Sequence, residues 1–135
     1  ASFEGQGPML LEQACGELRS TAPLPQLEDE TGLLLADCSG MLPVLIDEKR
    51  SIAERASYFH GCLAHTLLQQ AMTLRERHNV NNIGLCGGVF QNRKLSDYAV
   101  QLLQENGFNA CLPVRLPAND AAICAGQVVE AATAQ

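Results

Sequence analysis

The pair Gly87-Gly88, directly after the apolar run Ile83-Gly84-Leu85-Cys86, is where this sequence is best equipped to meet a ligand. Glycines at the end of a strand let backbone approach a bound group closely, and a following helix presents N–H groups at its positive end. That combination suits a phosphate. The same pair also serves as a plain tight turn, and Gly-Gly alone matches neither the dinucleotide fingerprint nor the Walker pattern. The residues by themselves leave both readings open. A second point of interest is Asp120 in Pro117-Ala118-Asn119-Asp120. On local grounds Asn119 or Asp120 is a helix cap. In an open α/β sheet, however, both junctions lie along the carboxyl ends of the strands, where ligands bind. Gly87, Gly88 and Asp120 are therefore expected to face one crevice.

The other reactive side chains form no recognisable set. His60 and His65 are five apart, so on a helix they diverge by about 140° and cannot share a metal from one face. His60 falls beside an apolar stripe next to Phe59, whereas His65 and His78 are expected to face solvent. No Ser-His-Asp or Cys-His arrangement emerges from the order of residues. The cysteines at 15, 38, 62, 86, 111 and 124 contain no CxxC pair, which argues against a structural zinc site. Their apolar neighbours (Leu85-Cys86, Ala110-Cys111-Leu112, Ile123-Cys124-Ala125) predict reduced, buried thiols.

The elements that position these residues can be read from pattern. Pro8 opens a first helix whose stripe is Met9, Leu10, Leu11, Ala14, Cys15 and Leu18. Residues 21–32, with Pro23 and Pro25, read as an exposed loop, Leu33-Leu34-Leu35 as a short strand, and 41–46 as a helical turn. Ser51 and Glu54 make an S-x-x-E capping box, followed by Ile52, Ala56, Phe59, Leu63, Leu67, Ala71 and Leu74 in steps of three and four. That helix should end near His78-Asn79. Then the period changes: strand 83–86, helix 91–106 stopped by Gly107, strand 108–112, and a small-residue helix after Asp120. Strand–helix–strand–helix at this spacing predicts a parallel pair. The expected fold is α/β and helix-rich: one domain over 1–135, mostly helical over 1–80 and βαβα over 81–135.

Composition narrows the classes of function. The chain has 135 residues, 47% hydrophobic and 18% charged, with a net charge of −6. A chain of this length buries roughly 70% of its unfolded surface, so a disordered segment is excluded. The acidic balance gives no footprint for nucleic acid or an anionic membrane. No apolar run reaches the roughly 18 residues of a membrane span. No basic, apolar leader opens the chain, and its first residue is not Met. The expectation is a cytoplasmic globular piece of a longer protein.

Gly87-Gly88-Val89-Phe90-Gln91-Asn92, followed by Pro117-Ala118-Asn119-Asp120 and Gly126-Gln127, resembles the C-terminal end of the HypF carbamoyltransferases. The likeness extends to Phe3-Glu4-Gly5-Gln6 and Phe59-His60, and so covers nearly the whole chain. It implies the second lobe of a threonylcarbamoyl-transferase-like module, with the two-lobed fold of actin, Hsp70 and sugar kinases (RNase H-like). It implies an enzyme of [NiFe]-hydrogenase maturation that makes carbamoyl-adenylate from carbamoyl phosphate and ATP. The carbamoyl group then passes to the C-terminal cysteine of HypE, on the way to a cyanide ligand. Carried over residue by residue, Gly87 and Gly88 approach the nucleotide phosphates, Asn92 and His60 lie beside them, and Asp120 helps hold a divalent metal.

Three departures accompany the resemblance. Ala121-Ala122 stand where the family has two glycines, and Cys86 stands where a serine is common. The first lobe, with its paired metal-binding histidines, is missing, as are the upstream domains. An isolated second lobe is expected to be inactive, with the first lobe and upstream domains as its partners. The alternative is a non-catalytic α/β interaction module of the same fold, favoured only by Ala121-Ala122. Paired histidines and CxxC motifs in the preceding sequence of the parent chain distinguish the two.

Overall fold

The computed structural model describes residues 2–18 and 20–133. Its axis is α3 (Ile52–His78), a helix of 27 residues. The predicted capping box starts it: Ser51 Oγ accepts from the Glu54 N–H at 3.2 Å, and Glu54 Oε2 accepts from the Ser51 N–H at 2.8 Å. Two orphan N–H groups of the first turn are thereby satisfied. Asn79, at φ 55°, ends the helix in the left-handed region and donates its N–H to the Arg75 carbonyl.

Behind α3 the chain makes the predicted parallel unit. Strand β3 (Asn82–Gly84) leads to a 3₁₀ turn (Gly88–Gln91) and α4 (Arg93–Glu105), and β4 (Asn109–Cys111) pairs parallel with β3 in the register Ile83↔Ala110. Gly107, at φ 80°, reverses the chain after α4 as its type demands. The main core lies between α3 and α4, where Ala64 and Ala71 face Leu95, Ala99, Leu102, Leu103 and Phe108. Small residues on one helix and leucines on the other allow close approach at native density.

In the N-terminal half, α1 (Gln6–Ala14) lies against α3, while β1 (Gln26–Glu28) and β2 (Leu34–Ala36) form an antiparallel hairpin. A 3₁₀ turn (Cys38–Met41) runs into the one-turn helix α2 (Leu42–Leu45), so the expected helical turn at 41–46 is present. Strand β1 corrects the reading of 21–32 as loop. Its turn is set by Asp29, whose Oδ1 accepts from the Thr31 and Leu33 N–H groups at 2.8 and 2.9 Å. The Thr31 hydroxyl, which donates to the same oxygen, holds the Asp29 carboxyl below its ordinary range, with the Leu33 and Thr31 N–H groups adding to it. Helix α1 also stops earlier than its stripe suggests, because Cys15 takes an extended conformation, and Met9 and Leu10 remain half exposed.

The last element, α5 (Ile123–Thr133), follows a 3₁₀ turn (Asp120–Ala122) and has no buried residue. Two further expectations are corrected. Only Cys15 and Cys62 are buried; Cys38, Cys86, Cys111 and Cys124 are exposed, although all six are unpaired. His65 does not face solvent: its Nε2 lies 3.1 Å from the Tyr98 hydroxyl, with the rings edge to face. Burial between α3 and α4 lowers the His65 pKa and raises that of Tyr98.

Candidate functional site

The site begins where β3 ends. Gly87 has φ 110° and ψ 157°, a region that only glycine enters without strain. This dihedral turns the chain into the 3₁₀ turn and aims the Gly87 N–H across to the Ala118 carbonyl, at 2.6 Å. One hydrogen bond thus joins the first strand–helix junction to the loop that precedes Asp120. The turn then closes on itself, with the Phe90 N–H on the Gly87 carbonyl and the Asn92 N–H on the Val89 carbonyl. Among the described residues the Gly88 and Val89 N–H groups donate to nothing, so they are the free donors at this junction.

In the first turn of helix α4 most donors are already taken. Its N-cap is Asn92, whose Oδ1 accepts from the Leu95 N–H at 3.0 Å. The Arg93 N–H is taken by Glu12 Oε1 of α1 at 2.7 Å. A carboxylate of the chain already sits at the positive end of the helix, where an anion is most stable. Of the helix N–H groups only that of Lys94 stays open in the first turn among the described residues, and further free N–H groups lie one turn earlier, at Gly88 and Val89.

His60 is completely buried, beneath this junction. Its Nδ1 lies 2.7 Å from the Ala56 carbonyl and its Nε2 2.8 Å from Asn92 Nδ2. A carbonyl only accepts, so Nδ1 carries the proton and Nε2 accepts from the Asn92 amide. Beside this pair, between α1 and the turn, lies a groove of about 730 Å³ lined by Gly5, Pro8, Glu12, Phe59, Gly88 and Asn92. Its size falls within the range of small-molecule sites.

The Asp120 side chain is exposed and makes no hydrogen bond or ion pair among the described residues. The capping role belongs to Asn119, whose Oδ1 accepts from the Ala121 N–H at 3.2 Å. Of the two candidates for the cap, the sequence order thus leaves the carboxylate of Asp120 free. Among the described residues no three His, Cys, Asp or Glu side chains gather as metal ligands. Asp120 suits a hard cation as one oxygen ligand, and a full shell needs others. Hence Gly87, Gly88, Asn92 and His60 are brought into one cluster, with Asp120 two residues from the Ala118 bond. Glu12 and Phe59 were not singled out as site residues by sequence. Phe59 had only the likeness at Phe59-His60 as a signal, and Glu12 had none.

A family model described as carbamoyltransferase, Kae1-like domain, second subdomain, matches residues 1–127. The chain belongs to this family. Carbamoyltransferase HypF of Synechocystis is 30% identical over 130 residues, covering 95% of this chain and 16% of that protein. HypF of Rhodobacter capsulatus is 30% identical over 132 residues, covering 97% of this chain and 17% of its own length. The subdomain thus spans about a sixth of the length of these relatives. A crystal structure of full-length HypF in its phosphate- and nucleotide-bound form matches with a TM-score of 0.88 at 26% identity, over 97% of this chain and 18% of that one. HypF of T. kodakarensis shares the fold, with a TM-score of 0.66 at 21% identity. The resemblance to the C-terminal part of HypF is therefore correct, and so is the fold class: a helix-rich α/β lobe of a Kae1-like domain. Among the described residues no helix of this subdomain is long and apolar enough to cross a membrane.

Proposed function

We propose that this subdomain forms one wall of an ATP-dependent carbamoyl-transfer site, in which carbamoyl phosphate and ATP yield carbamoyl-adenylate. The carbamoyl group then passes to the C-terminal cysteine of HypE, toward cyanide ligand synthesis in [NiFe]-hydrogenase maturation. The observation that carries this reading is the Gly87 N–H to Ala118 carbonyl bond. It draws the two junctions at the carboxyl ends of the parallel strands together, which is where α/β sheets take ligands. Gly88 and Val89 offer their N–H groups to the nucleotide phosphates, and the groove beside Phe59 gives the nucleoside an apolar wall. The Glu12 carboxylate at α4 keeps the phosphates at the turn by like-charge repulsion. Asp120 would hold a divalent metal, which supplies charge neutralisation at the phosphates. Remaining ligands belong to the facing subdomain, so this chain alone does not turn over.

Asp120→Asn in the full-length protein tests the reading. Because Asn119 is the cap, stability should change by no more than about 0.5 kcal/mol. A neutral amide is a much poorer ligand than a carboxylate, so carbamoyl-adenylate formation should be lost. Near-normal turnover by the variant removes Asp120 from the metal.

A further inference from the structure

His60 is a polar ring in a position where an apolar side chain of similar size would cost nothing to desolvate. Its hydrogen bonds explain its presence. Nδ1–H donates back to the Ala56 carbonyl, one turn earlier in α3, which fixes the ring and leaves the Nε2 lone pair pointing at Asn92. Asn92 in turn has no choice of orientation. Its Oδ1 must face the Leu95 N–H, so its Nδ2 must face His60. The result is a relay of one polarity, from the α3 backbone through imidazole and amide to the first turn of α4. Asn92 also closes the 3₁₀ turn through its own N–H to Val89. Ser96 adds a second tie, with its hydroxyl on the Phe90 carbonyl at 2.8 Å. The far end of the turn, at Gly87 and Gly88, has no side chain to hold it.

We infer that His60 is a positioning residue for ligand binding: through Asn92 it holds the Gly88–Gln91 turn as a rigid wall of the groove, without touching the ligand. The inference rests on the proposed nucleotide site, and it assigns His60 a task that the site alone does not. Removing the acceptor leaves the half-buried Asn92 side-chain amide N–H unpaired, a loss that relaxes the turn rather than the core.

The test is a double-mutant cycle read by calorimetric binding of a non-hydrolysable ATP analogue to the full-length enzyme. His60→Leu fills the space without an acceptor. Asn92→Ser keeps an equivalent helix cap but cannot reach His60. Each should weaken binding roughly ten- to hundredfold, and the double variant should lose no more than either alone, because the two act as a unit. His60→Gln, which carries an acceptor near Nε2, should recover most of the affinity. Unchanged binding in a folded His60→Leu protein, or losses that add, overturns the positioning role. If His60→Leu does not fold, Asn92→Ser and His60→Gln decide: a loss in the first and recovery in the second support it, and any other pattern refutes it. Gly88→Asp separates this from the site itself. Full binding in that variant refutes the site, whereas loss there with full binding in His60→Leu refutes His60 alone.

Discussion

Replacing Gly87 with alanine isolates backbone conformation from space. Nothing lies within 4 Å of a Cβ built there, so no clash contributes. What remains is φ 110°, ψ 157°, and an L-residue held there is strained by about 1–3 kcal/mol. The chain can escape only by rotating away, which breaks the 2.6 Å bond from the Gly87 N–H to Ala118. That bond is worth about 1 kcal/mol, so relaxation offers no cheaper route below that figure. Gly87→Ala should therefore lose about 1–3 kcal/mol, a urea midpoint lower by roughly 1 M for a domain of this size. Gly88 is the control: its φ is not positive and its Cβ position is equally open. Gly88→Ala should be neutral or slightly stabilising, by up to about 1 kcal/mol through the unfolded chain. Urea unfolding followed by circular dichroism measures both. Equal midpoints for the two variants would refute the claim that strain at Gly87 shapes the turn.

Two further outcomes concern titration and thiols. Burial holds His65 below its ordinary pKa of about 6.5, so the unfolded chain binds the extra proton first. The His65 contribution is complete above that value and is lost as pH falls from it toward the lowered pKa. Comparing urea midpoints near pH 7.5 and 5.5 should show a smaller acid loss in His65→Gln than in the native chain. Alkylation of the reduced protein, followed by mass spectrometry, should label Cys38, Cys86, Cys111 and Cys124 first, with Cys15 and Cys62 reacting only on unfolding.

The parts of the fold that were legible in sequence are those whose signals are local. The Ser51–Glu54 box and the three- and four-residue steps of α3 lie within the helix they describe, and Gly107 and the 83–112 alternation are equally self-contained. Strand β1 was not legible. It is three residues long, and its Glu28 meets Arg77 of α3 at 2.7 Å, a partner 49 positions away. That pairing lowers the Glu28 pKa, first through the hydrogen bond from Arg77 and then through its charge. His65 was assigned to solvent because it diverges from the apolar stripe, yet α4 packs on that side too and brings Tyr98 to it. Apolar neighbours misled at Cys86 and Cys111, since adjacent residues of a strand, or of a turn beside it, point to different faces, and at Cys124 because α5 buries none of its residues. At the site, the glycines and Asp120 could be picked out by type and spacing. The contact of Glu12 with the Arg93 N–H spans 81 residues and leaves no mark on either local stretch.

The central claim is that nucleotide lies against the Gly87–Asn92 turn and the adjoining junction at Asp120. Hydrogen–deuterium exchange of the full-length enzyme, with and without a non-hydrolysable ATP analogue, tests it without any mutation. The Gly88 and Val89 amides, free of acceptors in the chain, exchange readily until a ligand covers them. Peptides spanning residues 86–92 and 118–122 should slow markedly when the analogue binds. Saturating analogue that protects other regions and leaves both of these unchanged would contradict the account.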